Sequence, residues 1–313
     1  MSALIPFITT GSPERAALWR QKVADRLPGH QVVAPEDMSD ADAAAARVAI
    51  VGNPDPETLA RFTGLEWVQS VWAGVDKLIG RLPEDLRIAR LVDPVLAETM
   101  AEGVLAHTLY LHRHVPAYLA QQRQRVWRPL DHPRASARTV AILGLGELGR
   151  AAAAVLTAAG FRVTGWSRSP REVPGVTCFS GADALPEVVA GADIIVVLLP
   201  LTDATRGMLD ADMLAHCRPG AGIINVARGP IIDRDALMAA LDDGRLGHAV
   251  LDVFDVEPLP ADDAMWDHPA ITMMPHVAAI TDMDSASQIV ADNLSAYFET
   301  GQMPTTIDAA RGY

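Results

Sequence analysis

Residues 139–160 read TVAILGLGELGRAAAAVLTAAG, and the fold is decided there. The apolar run 140–143 has the length and composition of a buried strand. Three glycines follow, Gly144, Gly146 and Gly149, and then an amphipathic stretch, 148–159, that ends on Gly160. A glycine just past a helix is the usual left-handed stop. A bare G-x-G-x-x-G carries little weight; after a strand and at the head of a helix it is a phosphate-binding turn. Gly144 permits the tight turn, Gly146 lets the backbone approach a pyrophosphate, and Gly149 lets the helix pack on the sheet. The helix N-terminus adds unpaired N–H groups and the positive dipole end. Gly144, Gly146, Glu147, Leu148 and Gly149 are therefore the expected dinucleotide cradle.

The same alternation of short apolar runs and helical stretches extends both ways, which is the pattern of an α/β fold with parallel sheets. Towards the N-terminus, 4–8, 48–51, 67–71 and 88–91 read as strands, with a helix over 14–26 started by Ser12 and Pro13. The alanine-rich 41–46 reads as a surface helix. Towards the C-terminus, strands are expected at 162–166, 193–199, 222–226, 249–253 and 271–274, with a helix over 233–242 closed by Gly244. A long helical stretch is expected from about 98 to 111, after Asp93-Pro94. A last helix begins after 278–282, with Ile289, Val290, Asn293, Leu294, Tyr297 and Phe298 at helical spacing and Gly301 behind it. The expectation is two Rossmann-like domains, each a doubly wound parallel sheet. The dinucleotide-binding domain, 98–280, is inserted into a discontinuous domain made of 1–97 and 281–313.

Composition narrows the class. The 313 residues are 50% hydrophobic and 21% charged, with a net charge of −13. That charge argues against nucleic acid, whose phosphates need a positive face. No apolar run approaches the roughly 20 residues that span a bilayer, so no membrane partner is expected. The first residues have no basic start and no long apolar core of a signal peptide. Two cysteines, Cys178 and Cys217, give neither a disulfide framework nor a metal spacing, and a cytoplasmic setting follows. His107, His112 and His114 lack the paired spacing of a zinc helix, so no metal is expected. The pairs Asp242-Asp243 and Asp262-Asp263 read as solvated.

The end of the strand at 162–166 discriminates between cofactors. An NAD site places an acid there, about 20 residues after the glycines, on the ribose hydroxyl. This chain reads Gly165-Trp166-Ser167-Arg168-Ser169, with Arg171 nearby. Ser167 replaces the carboxylate that would repel a 2′-phosphate, and a guanidinium suits phosphate through its paired donors. NADPH is preferred on this reading, with NADH possible.

Three later segments carry polar residues just after apolar strands: Asn225-Val226-Ala227-Arg228-Gly229, Asp252-Val-Phe-Asp255-Val-Glu257-Pro258 and Pro275-His276. Reduction of a 2-keto acid needs a hydride donor, a cation for the carboxylate and an acid for the forming alkoxide. Arg228 can bind the carboxylate and polarise the keto oxygen, His276 can act as general acid, and Glu257 can hold the imidazole and favour its charged form.

These segments resemble the D-2-hydroxyacid dehydrogenase family over essentially the whole chain. The GWSRS, EPLP and PHVAAIT segments and the tail 307–313 resemble its glyoxylate/hydroxypyruvate reductase A branch. The resemblance implies an Arg228, Glu257, His276 triad. It implies substrate contacts at Trp72, Ala73, Gly74 and Val75, with N–H groups of that loop on the substrate carboxylate, and at Arg228 and His276. Cofactor contacts would include Leu199 and Pro200 on the adenine side, Val226, Ala227, Arg228 and His276, with Asp252 on the nicotinamide carboxamide. It further implies a preference for NADPH and a homodimer whose contact region includes Trp127, Arg128 and Pro129. Trp72, Met100 and Trp266 are candidate pocket walls. The alternatives are a phosphoglycerate- or lactate-type relative and a dinucleotide-sensing protein without turnover.

Overall fold

The computed structural model describes residues 2–83 and 85–308. The chain forms two compact units, Met1–Val95 with Thr281–Tyr313, and Leu96–Ile280. Residues 309–313 of the tail lie outside the described residues.

The first unit contains β1 (Leu4–Thr9), α1 (Pro13–Ala24), β2 (Gln31–Val33), α2 (Asp40–Ala45), β3 (Val48–Gly52), α3 (Pro56–Ala60), β4 (Trp67–Ser70) and β5 (Arg87–Ala89). The sheet is parallel throughout, in the order β2-β1-β3-β4-β5. Central β3, Val-Ala-Ile-Val-Gly, is buried at every position, as a strand covered on both faces must be. Ser12 caps α1 by accepting from the Arg15 N–H, and Pro13 takes the first position, where no N–H is needed. Two expectations shift. Short β2 was not anticipated, because three half-covered edge residues leave no pattern. The strand expected at 88–91 pairs only over Arg87–Ala89; Leu91 instead donates its N–H to the Trp72 carbonyl.

The second unit takes up the chain within α4 (Pro94–His112), from Leu96 on. It continues through α5 (Val115–Arg123), β6 (Thr139–Leu143), α6 (Glu147–Ala158), β7 (Arg162–Ser167), β8 (Val176–Ser180), α7 (Leu185–Gly191), β9 (Ile194–Val197), α8 (Ala211–Ala215), β10 (Ala221–Asn225), α9 (Arg234–Asp242), β11 (Leu246–Leu251) and β12 (Ile271–Met273). Seven parallel strands run in the order β12-β11-β10-β9-β6-β7-β8. The winding reverses between β6 and β9, and in such sheets ligands bind beyond the strand ends at this switch point. The glycine turn follows β6 there.

Differences from expectation have local causes. The helix expected from about 98 starts at Pro94, where the Asp93 carboxylate accepts the Val95 N–H at 2.9 Å. His114 does not share a helix with His107 and His112; it has φ +55° and begins α5. Edge strand β8 was missed, being only partly buried. Strand β11 starts at Leu246, three residues early, because exposed Gly247 interrupts the apolar signal. Asp263 is not solvated: its side chain is 6% exposed, bonded to Arg234 at 2.8 Å and to the Met265 N–H at 2.9 Å.

The chain closes with α10 (Met283–Thr300), which belongs to the first unit. Asp282 caps it through the Asp284 and Ser285 N–H groups, and Gly301 ends it at φ +76°. Ala286, Val290, Ala291 and Leu294 are buried in one core cluster with Ile5, Trp19 and Trp67. Polar ties fix the register: Asn293 donates to Gln69 Oε1 at 2.9 Å and Tyr297 to Glu66 at 2.7 Å. Gln69 is fully buried, so Asn293→Ala strands its oxygen. We expect a loss of about 1–3 kcal/mol, read from the unfolding midpoint. Exposed Gln288→Ala on the same helix should change stability by less than about 0.5 kcal/mol.

Candidate active site

Strand β6 delivers the chain to Gly144, at φ +112°, a conformation that strains any residue with a Cβ. A Cβ there would also lie 2.5 Å from the Leu198 carbonyl oxygen. At Gly149 a Cβ would lie 1.8 Å from the Gly144 oxygen, whereas at Gly146 it would meet nothing within 4 Å. Gly144 and Gly149 thus serve the turn and the packing of α6, and Gly146 leaves open space at the helix start. No side chain caps α6. Its first N–H groups and the open face at Gly146 form a cradle that fits a dinucleotide diphosphate. Glu147 is exposed, pairs with Arg150 and sits in the first turn with half-buried Leu148.

Strand β7 ends at Ser167, whose hydroxyl donates to the Ser169 carbonyl at 2.7 Å and whose own carbonyl accepts the Gly181 N–H. Trp166 anchors the turn with an indole N–H bond to the Gly181 carbonyl at 2.8 Å. Arg168 and Arg171 are exposed just beyond the strand end, where Ser167 stands in the position of a carboxylate. Beyond β9, Leu199 is buried, and the Thr205 hydroxyl donates to the Pro200 carbonyl at 2.7 Å, closing that loop on itself.

Neighbouring strands β10, β11 and β12 end side by side, with Asn225 opposite Leu251 and Leu251 opposite Met273. Asn225 was not singled out from the sequence, yet it shapes the first turn. Its side chain accepts the Ala227 N–H and donates to the Arg228 carbonyl, at 3.1 and 2.9 Å. Arg228 is half-buried and donates to the Ala227 carbonyl at 2.7 Å. Val226 and Ala227 are buried behind it. After β11, Glu257 folds back: one carboxylate oxygen takes the Phe254 N–H at 3.0 Å, the other takes His276 Nδ1 at 2.8 Å. A carboxylate only accepts, so Nδ1 carries the hydrogen in this pair and Nε2 is the nitrogen left for exchange. His276 has φ +56°. Asp252 is 1% exposed and accepts main-chain N–H groups of Val277 and Ala278, a use that leaves no signal in the sequence.

The residues expected as pocket walls have the following places. Met100 is 8% exposed within a second-unit core cluster. Trp266 is 53% exposed, its indole N–H on the Pro260 carbonyl. Trp72 packs edge-on against Trp19 in the first-unit core. The Ser70 hydroxyl accepts the Trp72 N–H at 3.0 Å; beyond it Ala73 is half-buried, Gly74 exposed and Val75 buried. A cavity of about 90 Å³ beside the Glu257 loop is lined by Leu251, Val253, Phe254, Leu259 and Met265; none of Arg228, Glu257 and His276 lines it. Two buried groups of the same unit are held neutral near pH 7: burial pushes the Cys217 thiol up to about 11 and His248 down to about 4.

Residues 105–278 match the family described as D-isomer specific 2-hydroxyacid dehydrogenase, NAD binding domain. The chain belongs to the D-isomer specific 2-hydroxyacid dehydrogenase family. A glyoxylate/hydroxypyruvate reductase A of Serratia proteamaculans is 40% identical over 305 residues, covering 94% of this chain and 96% of its own. Among solved structures, a family member from Xanthobacter autotrophicus in complex with NADPH and MES matches with a TM-score of 0.92 and 37% identity over 100% of both chains. An NADPH-dependent glyoxylate/hydroxypyruvate reductase from Sinorhizobium meliloti, in complex with NADP and sulfate, gives 0.88 and 33%, again over 100% of both. These relatives place the chain in the glyoxylate/hydroxypyruvate reductase A-like branch.

The two glycine contacts separate fold from binding. Gly149→Ala should cost about 1–3 kcal/mol through forced backbone movement and lower the thermal midpoint. Gly146→Ala should leave the midpoint in place and weaken dinucleotide binding, measured by fluorescence titration.

Proposed function

We propose that this protein reduces small 2-keto acids, glyoxylate and hydroxypyruvate, to 2-hydroxy acids at the expense of NADPH. The observation that carries this reading is the 2.8 Å His276–Glu257 pair, on loops that leave strands neighbouring the one that leads to Arg228. It stands at the strand ends of a sheet whose glycine turn fits a dinucleotide. The second unit is the dinucleotide-binding domain, and the first, completed by α10, is the substrate domain. When bound, the reduced nicotinamide supplies a hydride to the carbonyl carbon. Gly144, Gly146, Glu147, Leu148 and Gly149 hold the diphosphate, and Leu199 and Pro200 flank the adenine. Val226, Ala227 and Asp252 complete the cofactor contacts. Ser167, Arg168 and Arg171 favour a 2′-phosphate.

Arg228 takes the substrate carboxylate in the plane of its guanidinium and polarises the keto oxygen. The family resemblance assigns the N–H groups of Ala73, Gly74 and Val75, and Trp72, to substrate binding as well. As the C=O π pair moves onto oxygen, His276 gives its Nε2 proton to the forming alkoxide, so the product is the neutral hydroxyl. Glu257 keeps the ring oriented and balances the imidazolium present before transfer. The protein works as a cytoplasmic homodimer. Trp127, fully exposed on a segment pinned by Tyr118 and Gln121, suits a contact with the second copy.

Two measurements test the assignments. Arg168→Ala should weaken NADPH binding by roughly 10- to 100-fold, the worth of a charged hydrogen bond, and leave NADH affinity nearly unchanged; equal losses would remove Arg168 from phosphate recognition. His276→Ala should lower turnover with glyoxylate by about 100- to 10,000-fold. In the wild type, kcat/KM for reduction should decline towards high pH, because the proton donor must be protonated. A variant that keeps both the rate and that decline would show that another group supplies the proton.

A further inference from the structure

Glu257 is carried on a loop, 254–263, that apolar packing fixes only in part. Residues 255–258 are exposed. Phe254 and Leu259 are partly buried against the second-unit core, and both border the cavity of about 90 Å³. Atoms that face a void lose their dispersion partners on that side. Polar ties must therefore set where the loop stands.

One neighbouring segment supplies them. Residues 229–234 run from the Arg228 turn into α9. At its start, a Cβ on Gly229 would lie 2.2 Å from the Phe254 carbonyl carbon and 2.5 Å from the Asp255 nitrogen, so main chain packs directly on main chain at the head of the loop. At its end stands Arg234, the first residue of α9. Its guanidinium donates to Asp263 Oδ1 at 2.8 Å. The Asp263 side chain is 6% exposed, and the same oxygen accepts the Met265 N–H at 2.9 Å. Arg234 acts on the other flank as well. Burial raises the Asp255 carboxyl, the charges of Arg234 and Arg206 oppose that rise, and Asp233 adds to it. Asp255 lies two residues before Glu257 and Asp263 six after it. One guanidinium thus acts on a carboxylate at either side of the residue that orients the imidazole.

We infer that Arg234 is a positioning residue for Glu257. Held between Asp255 and Asp263, it closes the loop into the shape from which Glu257 reaches both the Phe254 N–H and His276 Nδ1. This rests on the role proposed above for His276. Arg234 acts through the loop and not on the substrate or the cofactor. Its effect on the reaction is the share of the Glu257 charge that the imidazole receives, since Glu257 is the carboxylate paired with that ring.

A purely structural ion pair would not move the titration of His276; this one should. In Arg234→Ala the loop loses its cation and Glu257 stabilises the imidazolium less. The His276 pKa, followed by NMR in the free protein, should fall by about one unit. The descending limb of kcat/KM for glyoxylate should move to lower pH with it. Above the pKa a fall of one unit leaves about a tenth of the imidazolium, so reduction there should slow roughly 10-fold. The NADPH Kd should stay near the wild-type value. Arg234→Lys keeps a point charge between the two acids and should recover most of the shift. Asp263→Asn keeps an acceptor for the Met265 N–H and should lower the pKa in the same direction. In Glu257→Gln there is no charge to misplace, so adding Arg234→Ala should lower the pKa no further. A wild-type His276 pKa in Arg234→Ala would overturn the inference, and so would an equal further fall in the Glu257→Gln background. A wild type that reduces no 2-keto acid would instead defeat the proposed function, and the His276 titration would still decide the role of Arg234.

Discussion

The register of three parallel strands governs the site. Asn225, Leu251 and Met273 are paired across β10, β11 and β12, so the chain leaves three neighbouring strands at the same edge of the sheet. Strands in a parallel ladder lie about 4.8 Å apart, and their exits are therefore within reach of single side chains. Glu257 spans one such interval to His276, and Asp252 spans it with main-chain bonds. A slip of one residue in β11 would reverse the direction of every side chain along it. The fully buried faces of β9 and β10 forbid that slip. The hydrophobic core is thus what keeps an exposed His–Glu pair in place.

Polar groups at these exits are used twice. Asn225 both accepts and donates within its own turn, and Glu257 serves the Phe254 N–H as well as the imidazole. Asp252 does the same for the last loop. Main-chain donors that would be stranded at buried strand ends are satisfied by the side chains that shape the site. Stability and arrangement therefore depend on the same bonds, and a substitution that spares the reacting atoms still disturbs their placement.

Much of this was legible in the sequence because it has a short-range cause. The strand, three glycines and helix of 139–160 state their geometry through residue size and hydrophobic period. The missing acid at Ser167 is a single-letter signal. Edge strands β2 and β8 were not legible, since half-covered edges do not alternate cleanly. The roles of Asn225 and Asp252 were hidden for another reason. Their partners are 2–3 and 25–26 residues away in main-chain atoms, and backbone N–H groups leave no trace in a sequence. Asp263 was misread as solvated because the salt bridge to Arg234 crosses 29 residues.

Histidine chemistry shows how the fold selects one ring among several. Two histidines face a carboxylate among the described residues, His276 with Glu257 and His268 with Asp242. At His268 the ring is occupied on both nitrogens: Nε2 meets Asp242 at 3.3 Å and Nδ1 accepts the Ala270 N–H at 3.2 Å. That imidazole is a structural cap with no nitrogen left to exchange a proton with a ligand. His248 is bonded to Thr272 at 2.8 Å and kept neutral by burial. His132 is bonded to Tyr118 at 2.8 Å. His276 combines a carboxylate on Nδ1 with an Nε2 that has no partner among the described residues, on a ring that is half exposed. A general acid needs both features, one nitrogen fixed and the other accessible. Left-handed backbone alone does not separate His276 from the histidines that merely fill hydrogen bonds, since His114 shares it with a ring nitrogen bonded to the Asp131 carbonyl; the carboxylate on Nδ1 together with the accessible Nε2 does.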